Sequence, residues 1–313
     1  MLRTLDDVVE AVRDRPMKTV AVAAAEHHSV LEAVKQAGEQ HIAEAVLVGS
    51  RERIEPQAEK AGLDLDTVAL IEQPTDLRAA AAATELVSSG RADILMKGHL
   101  HTDDFLRAVL DKETGLRTGS IMSHVYILET RHLGRLTMVT DGAMNIAPDL
   151  VTKGDIILNA VYLAQLFGIR EPKVGVLAAV ELVNPNMPVT LEAAALSKMS
   201  ERGQFPDCCV DGPFALDNAV SELAAEIKGI GGPVAGKCDI LVVPDIEAGN
   251  ILTKSFVYLG RERVAGVLLG ASAPVVLTSR ADSAEAKLHS IAIAMLMADM
   301  QRTSRLKLGK VHF

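Results

Sequence analysis

Short apolar runs alternate along the chain with longer, alanine-rich stretches that have a helical spacing of apolar residues. Runs rich in β-branched residues predict strands over 19–24, 44–48, 94–97, 125–128, 136–140, 174–179, 240–243, 264–268 and 274–277. Helical spacing between these runs predicts helices, for example over 29–37, 102–110, 153–167, 191–199 and 216–227. This alternation is typical of βα units around a mainly parallel sheet, so the sequence predicts an α/β fold.

Polar or glycine-containing clusters follow several of the predicted strands. These clusters are Lys97-Gly98-His99, Ser123-His124, Asp141-Gly142, Pro244-Asp245 and Thr278-Ser279-Arg280. In open α/β sheets, ligands bind beyond the carboxyl ends of the strands. We therefore expect these clusters to contribute to one cleft.

The segment 278–285 combines a serine and an arginine with the start of a predicted helix. Asp282 and Glu285 have the spacing of a capping box, and the first turn of a helix offers free N–H groups and a positive dipole end. An arginine beside such a helix end favours binding of a phosphate or an acyl phosphate. The alternative is that the two acids only cap the helix and that Arg280 forms a surface ion pair.

Composition narrows the classes of protein and of partner. A chain of 313 residues with 49% apolar content is long enough for two domains. A formal charge of −9 argues against nucleic acid or an anionic membrane as the main partner. The first residues lack a signal-peptide core and no later segment has about 18 uninterrupted apolar residues, so we expect a cytoplasmic protein. Cys208, Cys209 and Cys238 form no C-x-x-C pair and are interpreted as packed apolar residues.

Two other motifs suggest cofactor sites less strongly. The segment 231–237 fits the phosphate-loop pattern G-x-x-x-x-G-K, but a helix precedes it and a strand follows, so we interpret it as a connector. His99 and His101 with Asp103 and Asp104 could suggest a metal site. A second group of ligands is missing and the two acids fit the first turn of a helix, so no metal is expected.

Taken together and in order, the motifs resemble the phosphate acetyltransferase and phosphate butyryltransferase family over about residues 92 to 300. The resemblance rests on Met96-Lys97-Gly98-x-x-His101-Thr102, Ser123-His124-Val125, the 141–148 loop, Asp211-Gly212-Pro213, Pro244-Asp245-Ile246-Glu247-Ala248-Gly249-Asn250 and Ser279-Arg280. Taken alone, the acid-bearing runs at 141, 211 and 245 have the composition of turns. The Ser-Ala-Glu-Ala-Lys run at 283–287 looks more like the butyryl branch than the acetyl branch.

The resemblance implies a fold and a reaction. It implies two α/β/α domains with mainly parallel sheets and an interdomain cleft, of the isocitrate/isopropylmalate dehydrogenase type, formed by 1–140 plus 272–313 and by 141–271. The implied reaction interconverts acyl-CoA and inorganic phosphate with acyl phosphate and CoA, for a short acyl chain such as butyryl or acetyl. The resemblance also implies a homodimer that uses coenzyme A as a substrate, with no tightly bound cofactor and no metal.

The resemblance also implies which residues form the site. We expect Ser279, Arg280, Asp282 and Glu285 to be catalytic, with Arg280 on the phosphate and Ser279 bonded to thiol, phosphate or carbonyl oxygen. The expected substrate-binding residues are Lys97, His101, Thr102, Ser123, His124, Asp141, Asn145, Asp211, Pro213, Asp245, Glu247 and Asn250.

One position departs from the family pattern. The acetyl branch has an aspartate seven residues after the serine, proposed as the thiol base, and Ala286 occupies that position here. Asp282 and Glu285 are the remaining candidates for the base, although positioning alone lowers a barrier by several kcal/mol. Two alternatives stay open: a metal- and NAD-dependent hydroxy-acid dehydrogenase of a related fold, and a catalytically silent CoA-binding homologue.

Overall fold

The computed structural model describes residues 1–303 and 311, and the chain divides into two compact units. We call Leu5–Ser120 with 265–303 the N-terminal unit, and Met1–Thr4, Ile121–Val264 and Val311 the central unit. The predicted division into 1–140 plus 272–313 and 141–271 stays a prediction. The last residues of the predicted first domain, 304–310 and 312–313, lie outside the described part of the chain.

Helices and strands alternate along most of the chain. The helices are α1 (Leu5–Arg13), α2 (His28–Glu39), α3 (Arg51–Ala61), α4 (Asp76–Ser88), α5 (Thr102–Val109), α6 (Leu150–Leu166), α7 (Pro188–Glu201), α8 (Leu216–Val220), α9 (Glu222–Ile227), α10 (Ile246–Lys254) and α11 (Ala284–Thr303). The strands are β1 (Lys18–Ala23), β2 (Ala43–Gly49), β3 (Ala69–Glu72), β4 (Ile94–Lys97), β5 (Ser123–Thr130), β6 (Arg135–Thr140), β7 (Lys173–Leu177), β8 (Cys209–Phe214), β9 (Ile240–Val242), β10 (Arg263–Leu269) and β11 (Val275–Val276). The predicted α/β class is confirmed.

The N-terminal unit has the strand order β3-β2-β1-β4-β11-β10. Neighbouring strands in this order are parallel except for the pair of β10 with β11. Every residue of β4 is buried, as expected for a central strand covered on both faces. Ala23 pairs with Lys97 and Val276 pairs with Met96, so the carboxyl ends of β1, β4 and β11 lie side by side.

The central unit has the strand order β5-β6-β9-β7-β8. Here β5 and β6 form an antiparallel pair, and β6, β9, β7 and β8 continue as parallel neighbours. Among the helices of the described residues, none is long and apolar enough to cross a membrane.

Three local predictions in the central unit were wrong. The run that begins at Pro244-Asp245 was predicted as a turn from its composition, but its residues from Ile246 onward form helix α10. The turn expected at Asp211-Gly212-Pro213 lies inside β8, because β8 is the last strand of this unit's order and an edge strand tolerates a proline that cannot donate to the ladder. The single helix predicted over 216–227 is two helices, α8 and α9. Ser221 leaves the helical conformation at φ −124° and ψ 116°, and its Oγ caps α9 by accepting from the N–H of Ala224 at 3.2 Å.

Candidate active site

Lys97 and Gly98 lie where β4 ends against the end of β1. A Cβ on Gly98 would lie 2.2 Å from the carbonyl oxygen of Ala24 and 2.5 Å from that of Ala23. Two backbone hydrogen bonds hold the two chain segments at this short distance, one from Gly98 N to Ala23 O at 2.8 Å and one from His99 N to Ala24 O at 2.7 Å. Only glycine fits there, which explains why the lysine of this motif is followed by a glycine.

The loop between β11 and α11 folds around the carboxylate of Asp282. The Oδ2 of Asp282 accepts from the N–H of Ser279 at 2.7 Å, and the Oγ of Ser279 accepts from the N–H of Ala281 at 3.3 Å. The predicted capping box of Asp282 and Glu285 was wrong by one position. Ser283 is the residue before α11, and its Oγ accepts from the N–H of Ala286 at 3.1 Å. The Asp282 carboxylate is therefore used to hold Ser279.

Three basic side chains come together at this end of the N-terminal unit; we call Lys97, Arg280 and Lys287 the basic cluster. Lys97 and Lys287 are each only 1% exposed, and Arg280 is exposed. The Nζ of Lys97 lies 3.5 Å from the carbonyl oxygens of Gly98 and Thr278. The Nζ of Lys287 donates to the carbonyl oxygen of Asp282.

Burial and like charge both weaken the ammonium form in the basic cluster. The pKa of Lys97 is lowered to about 8, first by burial and then by the charges of Arg280 and Lys287, while the charge of Asp282 opposes this shift. Burial also lowers the pKa of Lys287, again opposed by Asp282. The effect of Arg280 and Lys287 on Lys97 shows that cationic groups are concentrated beside Ser279 and the N-terminus of α11. This arrangement favours an anionic ligand.

Three histidines border the basic cluster. The rings of His27 and His99 stack at 4.7 Å between centroids, and His28 contacts His27 at 4.4 Å. Burial is the largest cause lowering the pKa of both His27 and His99, and the Lys287 charge contributes at both. Both imidazoles are therefore neutral near pH 7 and present an uncharged, flat surface next to the cations.

The metal site considered for His99 and His101 has no support among the described residues. No group of three or more His, Cys, Asp or Glu in residues 1–303 and 311 is placed to hold a metal ion. His99 stacks on His27, whereas the exposed His101 precedes α5 and Thr102 is its first residue. Asp103 and Asp104 lie in the first turn of α5, where they complement the helix dipole.

In the central unit, Asp141 organises the loop that follows β6. Its carboxylate is 2% exposed and accepts from the N–H groups of Ala143 and Met144 at 3.0 Å each and from that of Asn145 at 3.2 Å. The Nδ2 of Asn145 donates to the same carboxylate at 2.7 Å and to the carbonyl oxygen of Met122 at 2.9 Å. The composition of this segment predicted a turn, and that prediction is confirmed.

The end of β6 also contacts the start of α10, backbone against backbone. A Cβ on Gly142 would lie 2.8 Å from the carbonyl carbon of Gly249, and a Cβ on Gly249 would lie 2.7 Å from the Cα of Gly142. The Nδ2 of Asn250 donates to the carbonyl oxygen of Gly142 at 3.3 Å. Asp245 caps α10 by accepting from the N–H of Ala248 at 2.8 Å, and Glu247 is exposed in the first turn. The glycines of both motifs are required by this contact.

The other predicted residues of the central unit are placed differently. Ser123, at the start of β5, is fully buried and its Oγ accepts from the Nδ2 of Asn159 at 2.9 Å, while the buried His124 ring packs edge-on against Tyr126. Asp211 and Pro213 lie in β8, which β9 and β7 separate from β6 in the strand order.

The structure thus brings together two groups of predicted residues, one in each unit. Lys97, Ser279, Arg280 and Asp282 form the first group, and Glu285 lies in the adjoining helical turn. The second group is Asp141, Asn145, Asp245 and Asn250. Sequence reasoning missed Lys287, His27 and His28 as neighbours of the first group.

Comparison with known proteins shows the family. Residues 3–82 and 72–295 match the family described as "Phosphate acetyl/butaryl transferase". The phosphate butyryltransferase of Clostridium acetobutylicum is 50% identical over 95% of this chain and 99% of its own length, and the phosphate acetyltransferase of Thermotoga maritima is 47% identical over 94% and 99%. The crystal structure of a branched-chain phosphotransacylase from Enterococcus faecalis is 35% identical, with a TM-score of 0.80, and covers 90% of this chain and 99% of that one.

Fold, site and relatives together define an acyltransferase that interconverts acyl-CoA and acyl phosphate. The chain belongs to the phosphate acetyl/butyryl transferase family, whose members use coenzyme A as a substrate. The family expected from the sequence motifs is confirmed.

Proposed function

We propose that this enzyme transfers a short acyl group, with butyryl preferred, between coenzyme A and inorganic phosphate. The observation that carries the proposal is the basic cluster at the carboxyl ends of β4 and β11, directly beside Ser279. The preference for butyryl is supported by the 50% identity to a phosphate butyryltransferase. The Ser-Ala-Glu-Ala-Lys run at 283–287 supports the same branch.

Arg280 and Lys97 are proposed to hold the phosphate. A guanidinium presents paired donors that match two phosphate oxygens, and the ammonium of Lys97 adds a nearly buried positive charge. The N-terminus of α11 supplies a positive dipole end at the same place. The hydroxyl of Ser279 then donates a hydrogen bond to the thiol, the phosphate or the carbonyl oxygen. The charge that develops on the carbonyl oxygen is stabilised by such oriented hydrogen-bond donors.

Asp282 and Glu285 remain the candidates for the thiol base. Asp282 is close to Ser279 and already accepts its N–H, so its first role is to fix the serine in place. Glu285 is exposed in the first turn of α11, one residue before the buried Ala286. Adjacent helical residues point about 100° apart, so Glu285 does not occupy the direction that a side chain at 286 would take.

Transfer is proposed to be direct, in a complex of both substrates, without an acyl-enzyme. Burial raises the pKa of Cys208 and of Cys238 to about 12, and burial followed by Glu171 raises that of the half-buried Cys209. Their thiols are therefore protonated at neutral pH and are poor nucleophiles. Replacing all three by serine should leave phosphate-dependent turnover within a few-fold of wild type, and loss of turnover in a folded variant would contradict direct transfer.

The remaining parts of the proposal come from the family. Substrate contacts are proposed for His101, Thr102, Ser123, His124, Asp141, Asn145, Asp211, Pro213, Asp245, Glu247 and Asn250. A cytoplasmic homodimer with no tightly bound cofactor is also proposed. Exposed apolar side chains at Ile251, Tyr258 and Leu259 support self-association. Light scattering coupled to gel filtration tests it, and a monomeric mass at micromolar concentration would refute it.

The function is tested by release of free CoA from butyryl-CoA with and without phosphate. Arg280→Ala should lower kcat/KM by about 100-fold or more, the effect typical of removing one donor to a developing charge. Arg91→Ala is the matched control, because Arg91 is exposed in the same unit just before β4, at the opposite end of that strand. Release of CoA that does not need phosphate would refute the proposed reaction.

A further inference from the structure

Lys287 differs from an ordinary helix-surface lysine in its burial and its partners. It lies in the first turn of α11, is 1% exposed, and its side chain folds back toward the helix start to reach the carbonyl oxygen of Asp282. An ammonium has three donors, and within residues 1–303 and 311 this bond is the only one that the Lys287 ammonium makes. Two donors are therefore held beside Asp282, which itself accepts from the N–H of Ser279, without an acceptor among the described residues.

The charges around Lys287 are unbalanced. The charges of Arg280 and Lys287 both act on Lys97, and Asp282 is the carboxylate that acts on both lysines. Neither lysine forms an ion pair with any described residue, and an unpaired buried charge is costly. With all three cations protonated, two positive charges are in excess. Phosphate groups near neutral pH carry between one and two negative charges, which matches this excess.

A control lysine elsewhere in the chain shows what a purely structural arrangement looks like. Lys153 in α6 is 3% exposed, but it forms an ion pair with Glu192. Burial of that lysine is explained by its own carboxylate partner. Lys287 forms no ion pair with a described residue, and its charge acts on a second buried lysine, Lys97.

We propose that Lys287 is a further phosphate-contacting residue, which binds the transferred phosphate together with Arg280 and Lys97. The inference rests on the proposed function and gives a role to a lysine to which the family motifs assign none. In this arrangement one N–H of Lys287 holds the Asp282 carbonyl oxygen, and the other two point to phosphate oxygens. Lys287 thereby ties the loop that carries Ser279 to the ligand that the loop binds.

The test is steady-state kinetics with phosphate and butyryl-CoA varied independently. Lys287→Met keeps the apolar stem and removes the charge, so KM for phosphate should rise about tenfold or more, as for loss of a hydrogen bond to a charged group. KM for butyryl-CoA should stay within about twofold of wild type. Lys287→Arg keeps a cation and should recover most of the phosphate affinity. If Lys287→Met does not fold, Lys287→Gln is expected to give the same split.

The matched control is Lys18→Met. Lys18 is 5% exposed in the same unit but begins β1, at the opposite end from the basic cluster, so its removal should leave both KM values unchanged. A second readout is the pH dependence of KM for phosphate. The Lys287 charge lowers the pKa of Lys97, so Lys287→Met should move the alkaline rise of KM to higher pH.

Different outcomes refute the role of Lys287 and the proposed reaction. An unchanged KM for phosphate, or equal rises in both KM values, would overturn the inference, because the second result is that of a displaced loop. Thermal stabilisation by phosphate alone gives a readout without turnover. If wild type lacks phosphate-dependent CoA release but phosphate stabilises wild type and not Lys287→Met, the proposed function fails and the inference stands.

Discussion

Replacing Gly98 by alanine tests the packing that positions Lys97. The added Cβ would lie 2.2 Å from the carbonyl oxygen of Ala24 and 2.5 Å from that of Ala23, and both neighbours are backbone atoms that cannot rotate away. Restoring an ordinary carbon–oxygen distance of about 3.3 Å requires a shift of about 1 Å. That shift would break the hydrogen bonds from Gly98 and His99 to the end of β1, which measure 2.8 and 2.7 Å.

The expected loss of folding stability follows from these two hydrogen bonds. Each buried backbone group left without a partner costs about 1 to 3 kcal/mol, so Gly98→Ala should lower the free energy of unfolding by about 2 to 5 kcal/mol. The Nζ of Lys97 should move as well, so KM for phosphate should rise even where the variant remains folded. Urea unfolding followed by circular dichroism measures the first effect, and initial rates at several phosphate concentrations measure the second.

Gly38→Ala is the matched control. Gly38 lies in α2, and an added Cβ there would meet no atom within 4 Å. Because alanine is a better helix former than glycine, this variant should be more stable by up to about 1 kcal/mol. A Gly98→Ala protein with the urea midpoint and phosphate KM of wild type would refute the reasoning about the contact between β4 and β1.

Three further predictions test the helix cap, the loop after β6 and the charge of Lys97. Ser283→Ala removes the cap of α11 and should cost about 1 kcal/mol in urea unfolding, whereas no change would mean that Ser283 is not the cap. Asp141→Asn replaces one of two acceptor oxygens by a donor that faces N–H groups, so it should cost about 2 to 4 kcal/mol in the same assay, and a neutral effect would contradict the loop geometry. Lys97 is charged below its pKa of about 8 and neutral above it, so KM for phosphate should rise as the pH passes about 8. In Lys97→Met that rise should be absent, and a rise that persists unchanged would show that another group titrates.

The strand pattern was predictable where a short apolar run is buried on both faces. The strand predicted over 94–97 has the bounds of β4, because Ile94, Leu95 and Met96 are apolar and buried on both faces. The same reasoning missed β3, whose residues Ala69–Glu72 are exposed or half-buried and give no apolar run. It also missed β8, because a glycine and a proline inside a strand look like a turn until the edge position is known.

The residues that lie around Ser279 could be proposed from the sequence where they follow a strand, and Lys287 was missed because it lies in a helix. A lysine in a helical segment usually indicates a solvated face, and nothing in the residues next to it marks burial. A signal was nevertheless present, since α11 continues from Lys287 into an uninterrupted apolar run, Ile291 to Ala298, which is buried. A charged residue in a helix without a polar face must be buried with a ligand or a partner.

The basic cluster also bears on the missing thiol base. A cation beside a thiol stabilises the thiolate and lowers a pKa that is otherwise about 8.5. Two nearly buried lysines and an arginine, opposed by one carboxylate, therefore favour ionisation of a CoA thiol that reaches Ser279. The aspartate of the acetyl branch would add a negative charge at position 286, which opposes thiolate formation electrostatically while it accepts the proton. With Ala286 in that place no carboxylate is added to the cluster, and in the proposed mechanism the field of the basic cluster acts on thiol and phosphate where the acetyl branch has a proton acceptor.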